Sequence, residues 1–83
     1  MSIRKVSIRQ IKAARSLLDW SQSDLAAASG VSEPTIKRLE AQDDLLGGRS
    51  DTADKIVSAL QEGGVEFIPE NGGGAGVRLR KRG

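Results

Sequence analysis

Apolar residues recur at helical spacing over the first three quarters of the chain, and short polar segments interrupt them. After Ser7, the residues Ile8, Ile11 and Leu18 fall on one side of a helix with 3.6 residues per turn. Further segments show the same periodicity. The pattern predicts four helices with short connections, within residues 8–20, 22–29, 33–42 and 52–62.

Residues that start and stop helices stand at the boundaries of these segments. Ser21 and Asp24 have the spacing of a capping box, with aspartate where glutamate or glutamine is usual. Gly30 suits the left-handed position that ends a helix. Pro34 falls in the first turn of the next helix, where its missing N–H costs little. The predicted N-caps are Ser7, Ser21, Ser32 and either Ser50 or Asp51.

The periodicity changes from helical to alternating after Gly64. Val65 and Phe67 alternate with other residues, and so do Val77 and Leu79. The residues between the two runs, 69–76, are turn formers, so a two-stranded hairpin is the simplest interpretation. The predicted fold is mainly α, with four to five helices over residues 1–64 and a C-terminal β-hairpin or strand appendage over 65–83.

The charge balance argues against a strongly basic surface. The chain has 83 residues and a formal net charge of +2. Basic and acidic residues balance over 1–64, so the surplus lies entirely in 65–83. Binding to nucleic acid therefore has to use local patches. The sequence shows neither a membrane-spanning run nor a signal-peptide pattern, so we expect a cytoplasmic protein with no membrane partner.

Several kinds of chemistry lack the residues that they need. The chain has no cysteine and no histidine, which removes disulfides, the usual zinc ligands and the commonest general base. The segment NGGGAG, residues 71–76, leads into a predicted strand and lacks the Gly-Lys-Ser/Thr ending of a phosphate-binding loop. We expect no enzyme activity, no cofactor and no metal.

The segment SGVS, residues 29–32, joins two predicted helices by a very short turn. A turn of this length makes the second helix cross the first steeply and leaves its N-terminal residues exposed. The apolar residues of the pair would then face inward together: Leu25, Ala26, Val31, Ile36 and Leu39. An exposed helix in this arrangement fits the major groove of DNA.

The segment SQSDLAAASGVSEPTIKRLE, residues 21–40, resembles the helix-turn-helix of Cro/phage-repressor-type (xenobiotic-response-element family) transcriptional regulators. The residues that match the family pattern are Gln22, Asp24, Leu25, Ala26, Gly30, Val31, Ser32, Ile36, Leu39 and Glu40. The resemblance implies a repressor-like DNA-binding domain over 1–64, with its recognition helix at 33–42. It further implies a sequence-specific regulator of transcription, in the form of a dimeric repressor that reads a two-fold-symmetric operator in double-stranded DNA.

The resemblance also assigns roles to individual residues. Gln22 stands where the family contacts a phosphate and supports the recognition helix. The positions that face bases or adjacent phosphates are Ser32, Glu33, Pro34, Thr35 and Arg38, with Lys37 at their flank. Arg15 and Glu40 match a partly buried ion pair. Pro34 departs from the polar base reader that is common at its position, and the acidic loop after the recognition helix leaves only Arg49 as a backbone contact.

The alternating tail permits three interpretations. The one we favour is a sheet that forms between two copies, with dimerisation residues Val65, Phe67, Ile68, Val77 and Leu79. The others are a hairpin packed on the helices of its own chain and a disordered basic arm. An alternative function is a protein-interaction module, such as an antitoxin or antirepressor, in which the helix-turn-helix binds a partner protein.

Overall fold

Four helices precede two antiparallel strands in the computed structural model, which describes residues 6–42, 50–70 and 72–80. The elements in chain order are α1 (Ile8–Leu18), α2 (Gln22–Ser29), α3 (Glu33–Glu40), α4 (Ser50–Glu62), β1 (Val65–Ile68) and β2 (Gly76–Leu79). This mainly helical architecture with a C-terminal hairpin confirms the predicted fold class.

The first helix begins at a reciprocal cap. The Ser7 hydroxyl accepts a hydrogen bond from the Gln10 backbone N–H at 3.1 Å, and the Gln10 side-chain oxygen accepts one from the Ser7 N–H at 2.8 Å. The helix ends at Leu18, two residues before the predicted end. Asp19 takes the left-handed conformation there, with φ of 57°, and this reverses the chain toward α2.

The second and third helices begin at the predicted serines. Ser21 and Asp24 form a capping box, and Gly30 ends α2 with φ of 76°. Ser32 caps α3. The prediction that α3 reaches residue 42 is wrong: the helix ends at Glu40, and Ala41 is its C-cap. Helix α4 begins at Ser50, two residues before the predicted start. The residue before Ser50 lies outside the described ranges.

The core lies between the helices and one face of the hairpin. The largest fully buried side chains are Ile8, Ile11, Leu25, Ile36, Ile56, Leu60, Val6, Val57 and Val65. Leu18 and Trp20 pack against this core and close over Gly63, where an added Cβ would lie 2.9 Å from Leu18 Cδ1 and 3.0 Å from the indole ring. The C-terminal end of α4 therefore meets the connection between α1 and α2.

The hairpin forms within one chain and completes its core. In the antiparallel register Val65 lies opposite Leu79 and Phe67 opposite Val77. Val65 and Phe67 are 0% and 4% exposed, as in a hairpin packed on the helices. The buried Gln10 amide nitrogen donates to the carbonyl oxygen of Ile68 at 3.3 Å and to that of Gly76 at 2.9 Å. These bonds fix the turn end of the hairpin to the start of α1.

Candidate nucleic-acid interface

The connection between α2 and α3 is held by local hydrogen bonds and by the core. The left-handed Gly30 reverses the chain, and the Ser29 hydroxyl accepts a hydrogen bond from the Val31 N–H at 3.1 Å. Leu25 of α2 and Ile36 of α3 are buried on either side of the turn. The turn and the core together fix the direction in which α3 leaves the body of the protein.

Helix α3 has one buried side and one exposed side. Ile36 and Glu40 point into the protein, whereas Pro34, Lys37 and Arg38 are exposed. The helix packs on α1 and α2, so its outer side remains open. Because this side combines a helix N-terminus with two cations, it has the chemistry of a DNA-binding surface.

The first turn of α3 is organised by its own side chains and by α2. The Glu33 carboxylate accepts a hydrogen bond from the Ser23 hydroxyl at 3.1 Å and lies 3.9 Å from the Lys37 ammonium nitrogen. The Ser32 hydroxyl donates to the Thr35 hydroxyl oxygen at 2.8 Å. Ser23 was not among the residues that the sequence singled out, because its role depends on the distance between two helices.

Arg38 is the exposed cation of α3 that has no hydrogen-bonding partner among the described residues. Within the ranges that the structure describes, its guanidinium makes no hydrogen bond and no ion pair. A guanidinium carries five N–H donors in a rigid fork. It is therefore available for a bidentate contact outside the protein.

Behind this surface, Glu40 joins three helices. One of its carboxylate oxygens accepts from Arg15 Nη2 at 2.7 Å and from Gln22 Nε2 at 3.0 Å, and the other accepts from Arg15 Nε at 2.8 Å. Arg15 Nη1 also donates to the Trp20 carbonyl at 2.9 Å. Gln22, at the start of α2, thus holds the end of α3. The side-chain amide oxygen of Gln22 accepts no hydrogen bond within the described residues.

The ion pair shifts the proton affinity of both partners. Burial by itself raises the pKa of Glu40, but the hydrogen bonds from Arg15 and Gln22 and the positive charges of Arg15 and Lys12 outweigh it. The pKa of Glu40 therefore lies below its ordinary value of 4.5. The hydrogen bond to Glu40 likewise raises the pKa of Arg15, although burial opposes it. Both groups are charged at neutral pH.

Two basic residues at the end of the hairpin, Arg78 and Arg80, are engaged within the protein. Arg78 Nε and Nη2 donate to the Glu66 carboxylate oxygens at 3.1 and 3.0 Å, which lowers the pKa of Glu66 and raises that of Arg78. Arg80 donates to the Gln61 carbonyl at the C-terminal end of α4, where a cation is favourable. Arg78 thus joins β2 to β1, and Arg80 joins the hairpin to α4.

The residues predicted to bind DNA or to form the dimer fall into three groups. The structure brings Gln22, Ser32, Glu33, Pro34, Thr35, Lys37 and Arg38 together on α3 and its cap and at the start of α2. Arg49 and the acidic residues Asp43 and Asp44 lie outside the described residues. Among the residues assigned to dimerisation, Val65 and Phe67 are buried in their own chain, Ile68 and Val77 are half buried, and Leu79 is exposed. Dimerisation itself stays a prediction.

Residues 11–46 match the helix-turn-helix family. The match spans most of α1, all of α2 and α3 and the turn between them. It confirms the resemblance to Cro/phage-repressor-type regulators, which are DNA-binding regulator domains. Among the helices in the described ranges, none is long and apolar enough to cross a membrane.

Proposed function

We propose that this protein is a sequence-specific transcriptional repressor that binds a two-fold-symmetric operator as a homodimer. The observation that carries the proposal is the outward face of α3, where exposed Arg38 lies one turn after exposed Pro34, while Ile36 and Glu40 anchor the opposite side. Each protomer inserts this helix into a major groove.

Base discrimination falls to the first two turns of α3. Arg38 has the geometry for two hydrogen bonds to guanine O6 and N7. Glu33, oriented by Ser23 at 3.1 Å, accepts from a cytosine amino group. Thr35 supplies a hydroxyl, and Pro34 supplies apolar contact to a thymine methyl group.

Contacts to phosphate set the position of the helix and most of the affinity. Gln22 lies at the start of α2 with its amide held by Glu40 at 3.0 Å, which preorganises it beside the recognition helix. The other proposed phosphate contacts come from Ser32, Lys37 and Arg49. Because the net charge of the chain is only +2, the affinity depends on these few placed groups more than on a general basic field.

One recognition helix covers too few base pairs for useful specificity. Two copies reading half-sites about one helical turn apart, roughly 34 Å, provide it. Occupancy of such an operator is set by the concentration of the protein or by a partner protein, as in autorepression, and it blocks access of the polymerase. The proposed site of action is the cytoplasm.

Selection of bound sequences from random DNA tests the proposal. The wild-type protein should enrich two half-sites related by a two-fold axis. Arg38→Ala should weaken binding to the selected site by about 1–3 kcal/mol and relax the preference at one base position. Lys55→Ala, which removes an exposed charge from α4, is the matched control and should retain both affinity and preference.

The outcomes separate base reading from general attraction. An equal loss on specific and random DNA would assign Arg38 to the backbone instead of a base. Enrichment of no sequence, together with stable capture of one protein partner, would contradict the proposal and favour the antitoxin or antirepressor alternative.

A further inference from the structure

The outer side of α3 carries an apolar ring and a guanidinium that are one turn apart. Pro34 and Arg38 are both exposed on this helix. Their spacing of four residues places them on one side of it, about 6 Å apart along the axis. Side chains of an α-helix lean toward its N-terminus, so the Arg38 side chain is directed over the turn that carries Pro34. We call these two side chains the Pro34–Arg38 face.

The acidic side chain of the same turn does not engage Arg38. The Glu33 carboxylate is held toward α2, where it accepts a hydrogen bond from the Ser23 hydroxyl at 3.1 Å. The Lys37 ammonium nitrogen lies 3.9 Å from the same carboxylate. Arg38 has no partner among the described residues, so its guanidinium remains available beside the Pro34 ring.

Pro34 restricts what the Pro34–Arg38 face can bind. Its ring has no hydrogen-bond donor or acceptor, so a polar base edge placed against it would lose water without gaining a partner. The ring is already rigid, and covering it costs almost no side-chain entropy. The apolar group that the major groove offers is the C5-methyl group of thymine, and 5-methylcytosine carries the same group at the same position. Pro34 therefore favours a C5-methylated pyrimidine.

Arg38 restricts which base follows that pyrimidine. Its forked guanidinium fits O6 and N7 of guanine. The guanidinium is planar and more weakly hydrated than an ammonium group, so its flat side tolerates an apolar neighbour. Successive bases of a strand are about 3.4 Å apart, so a guanidinium in the plane of guanine lies at van der Waals distance from a methyl group on the preceding base.

We propose that α3 recognises the C5-methyl group of a pyrimidine that is followed by guanine. Arg38 binds the guanine with its fork, and the methyl group lies between the guanidinium and the Pro34 ring. Two base steps meet this description, thymine–guanine and 5-methylcytosine–guanine, so C5 methylation of cytosine strengthens binding at this step. The inference rests on the proposed function: it joins the guanine and methyl contacts of α3 in one step and adds a modified cytosine to the bases that the protein reads.

Matched DNA duplexes test this recognition. The starting duplex is the sequence that the wild-type protein selects, and the relevant guanine is the one whose preference Arg38→Ala relaxes. The base before it is then thymine, uracil, 5-methylcytosine or cytosine. Thymine differs from uracil only by the methyl group, and so does 5-methylcytosine from cytosine. In equilibrium titrations the methyl group should tighten binding by about three- to tenfold in both pairs.

Substitutions of Pro34 assign the effect to its ring. Pro34→Ser removes the apolar surface and should reduce the methyl ratio to below about twofold. Pro34→Val restores an apolar side chain and should recover most of the ratio. Lys55→Ala, on the exposed side of α4, is the control and should keep the wild-type ratio. The ratio is the readout because a loss of folding or of general affinity weakens binding to all four duplexes alike.

The outcomes separate this inference from the proposed function. Equal affinities within each pair, or weaker binding to the methylated member, would overturn it and leave sequence-specific binding intact. A purine before the selected guanine, or an Arg38→Ala protein that relaxes no preference for guanine, would do the same. A methyl ratio that persists in Pro34→Ser would remove Pro34 from the contact. Enrichment of no sequence at all would contradict the proposed function and this inference together.

Discussion

Glu40 is a nearly buried carboxylate whose two oxygens are held by three donors from α1 and α2. Its side chain is 5% exposed, and that of Arg15 is 20% exposed. Removing a carboxylate from such a pair leaves the guanidinium without its counter-charge in a site that water reaches poorly. Breaking this pair would therefore weaken the packing of α3, the helix that carries the proposed base contacts.

We expect Glu40→Gln to lower the free energy of unfolding by about 1.5–3 kcal/mol at pH 7, because the amide replaces charge-assisted hydrogen bonds. Chemical denaturation followed by circular dichroism measures this loss. Glu62→Gln, an exposed substitution on α4, is the control and should change the stability by less than about 0.5 kcal/mol. Equal stabilities of the two variants would show that the ion pair adds nothing net.

The stability difference between wild type and Glu40→Gln should itself depend on pH. The pKa of Glu40 is lowered on folding from its ordinary value of 4.5, so the unfolded state takes up the proton first as the pH falls. The contribution of the pair is therefore complete above pH 4.5 and is lost as the pH falls through the folded pKa. Denaturation curves of both proteins from pH 7 to pH 3 should converge at the acid end; a constant difference would contradict this assignment.

Single residues differ in how well their roles could be predicted from the sequence. The pairing of Arg15 with Glu40 was predicted from the family resemblance, because these residues match positions that form an ion pair in the family. They are 25 positions apart in the sequence. Gln10 was missed, although Ser7 and Gln10 have the spacing of a capping box. Its buried amide bonds carbonyls 58 and 66 residues away, and no local pattern contains that information.

At the scale of elements, the local signals located the helix starts better than the helix ends. Ser21 and Ser32 cap α2 and α3 by bonds to their own first turns, so the sequence nearby is sufficient. The end of α1 depends on Asp19, a non-glycine residue with φ of 57°. Such a conformation costs energy for an L-residue and is not visible in the apolar pattern, which continued to Trp20.

The turn from α4 into β1 offers a clean test of backbone conformation. Gly64 has φ of 114°, and a Cβ there would meet nothing within 4 Å, so strain alone opposes a side chain. Gly64→Ala should lower the stability by about 1–2 kcal/mol and Tm by roughly 4–15 °C. Gly73→Ala, also in open space but without a positive φ, should leave Tm nearly unchanged. Equal melting temperatures for the two variants would contradict the left-handed turn.

At the scale of the whole molecule, the strands were predictable but their packing partner was not. The alternating pattern placed four residues on one sheet face: Val65, Phe67, Val77 and Leu79. The same pattern results whether this face is buried against helices or against another chain. The contacts of α4 with β1 and of α1 with β2 show that Val65 and Phe67 are buried against the helices of their own chain. The exposure of Leu79 leaves the outer edge of the same sheet open.

This packing makes the hairpin part of the cooperative core. A chain that ends at Gly64 loses the buried Val65 and Phe67 and both long-range bonds of Gln10. Burial of two such side chains contributes about 3–6 kcal/mol, a large share of the total stability of a small domain. The shortened chain should therefore unfold at a much lower temperature or without a cooperative transition in circular dichroism. A chain that ends at Arg80 keeps the hairpin and should melt close to the full-length protein. If both melted alike, the helices would hold the core by themselves.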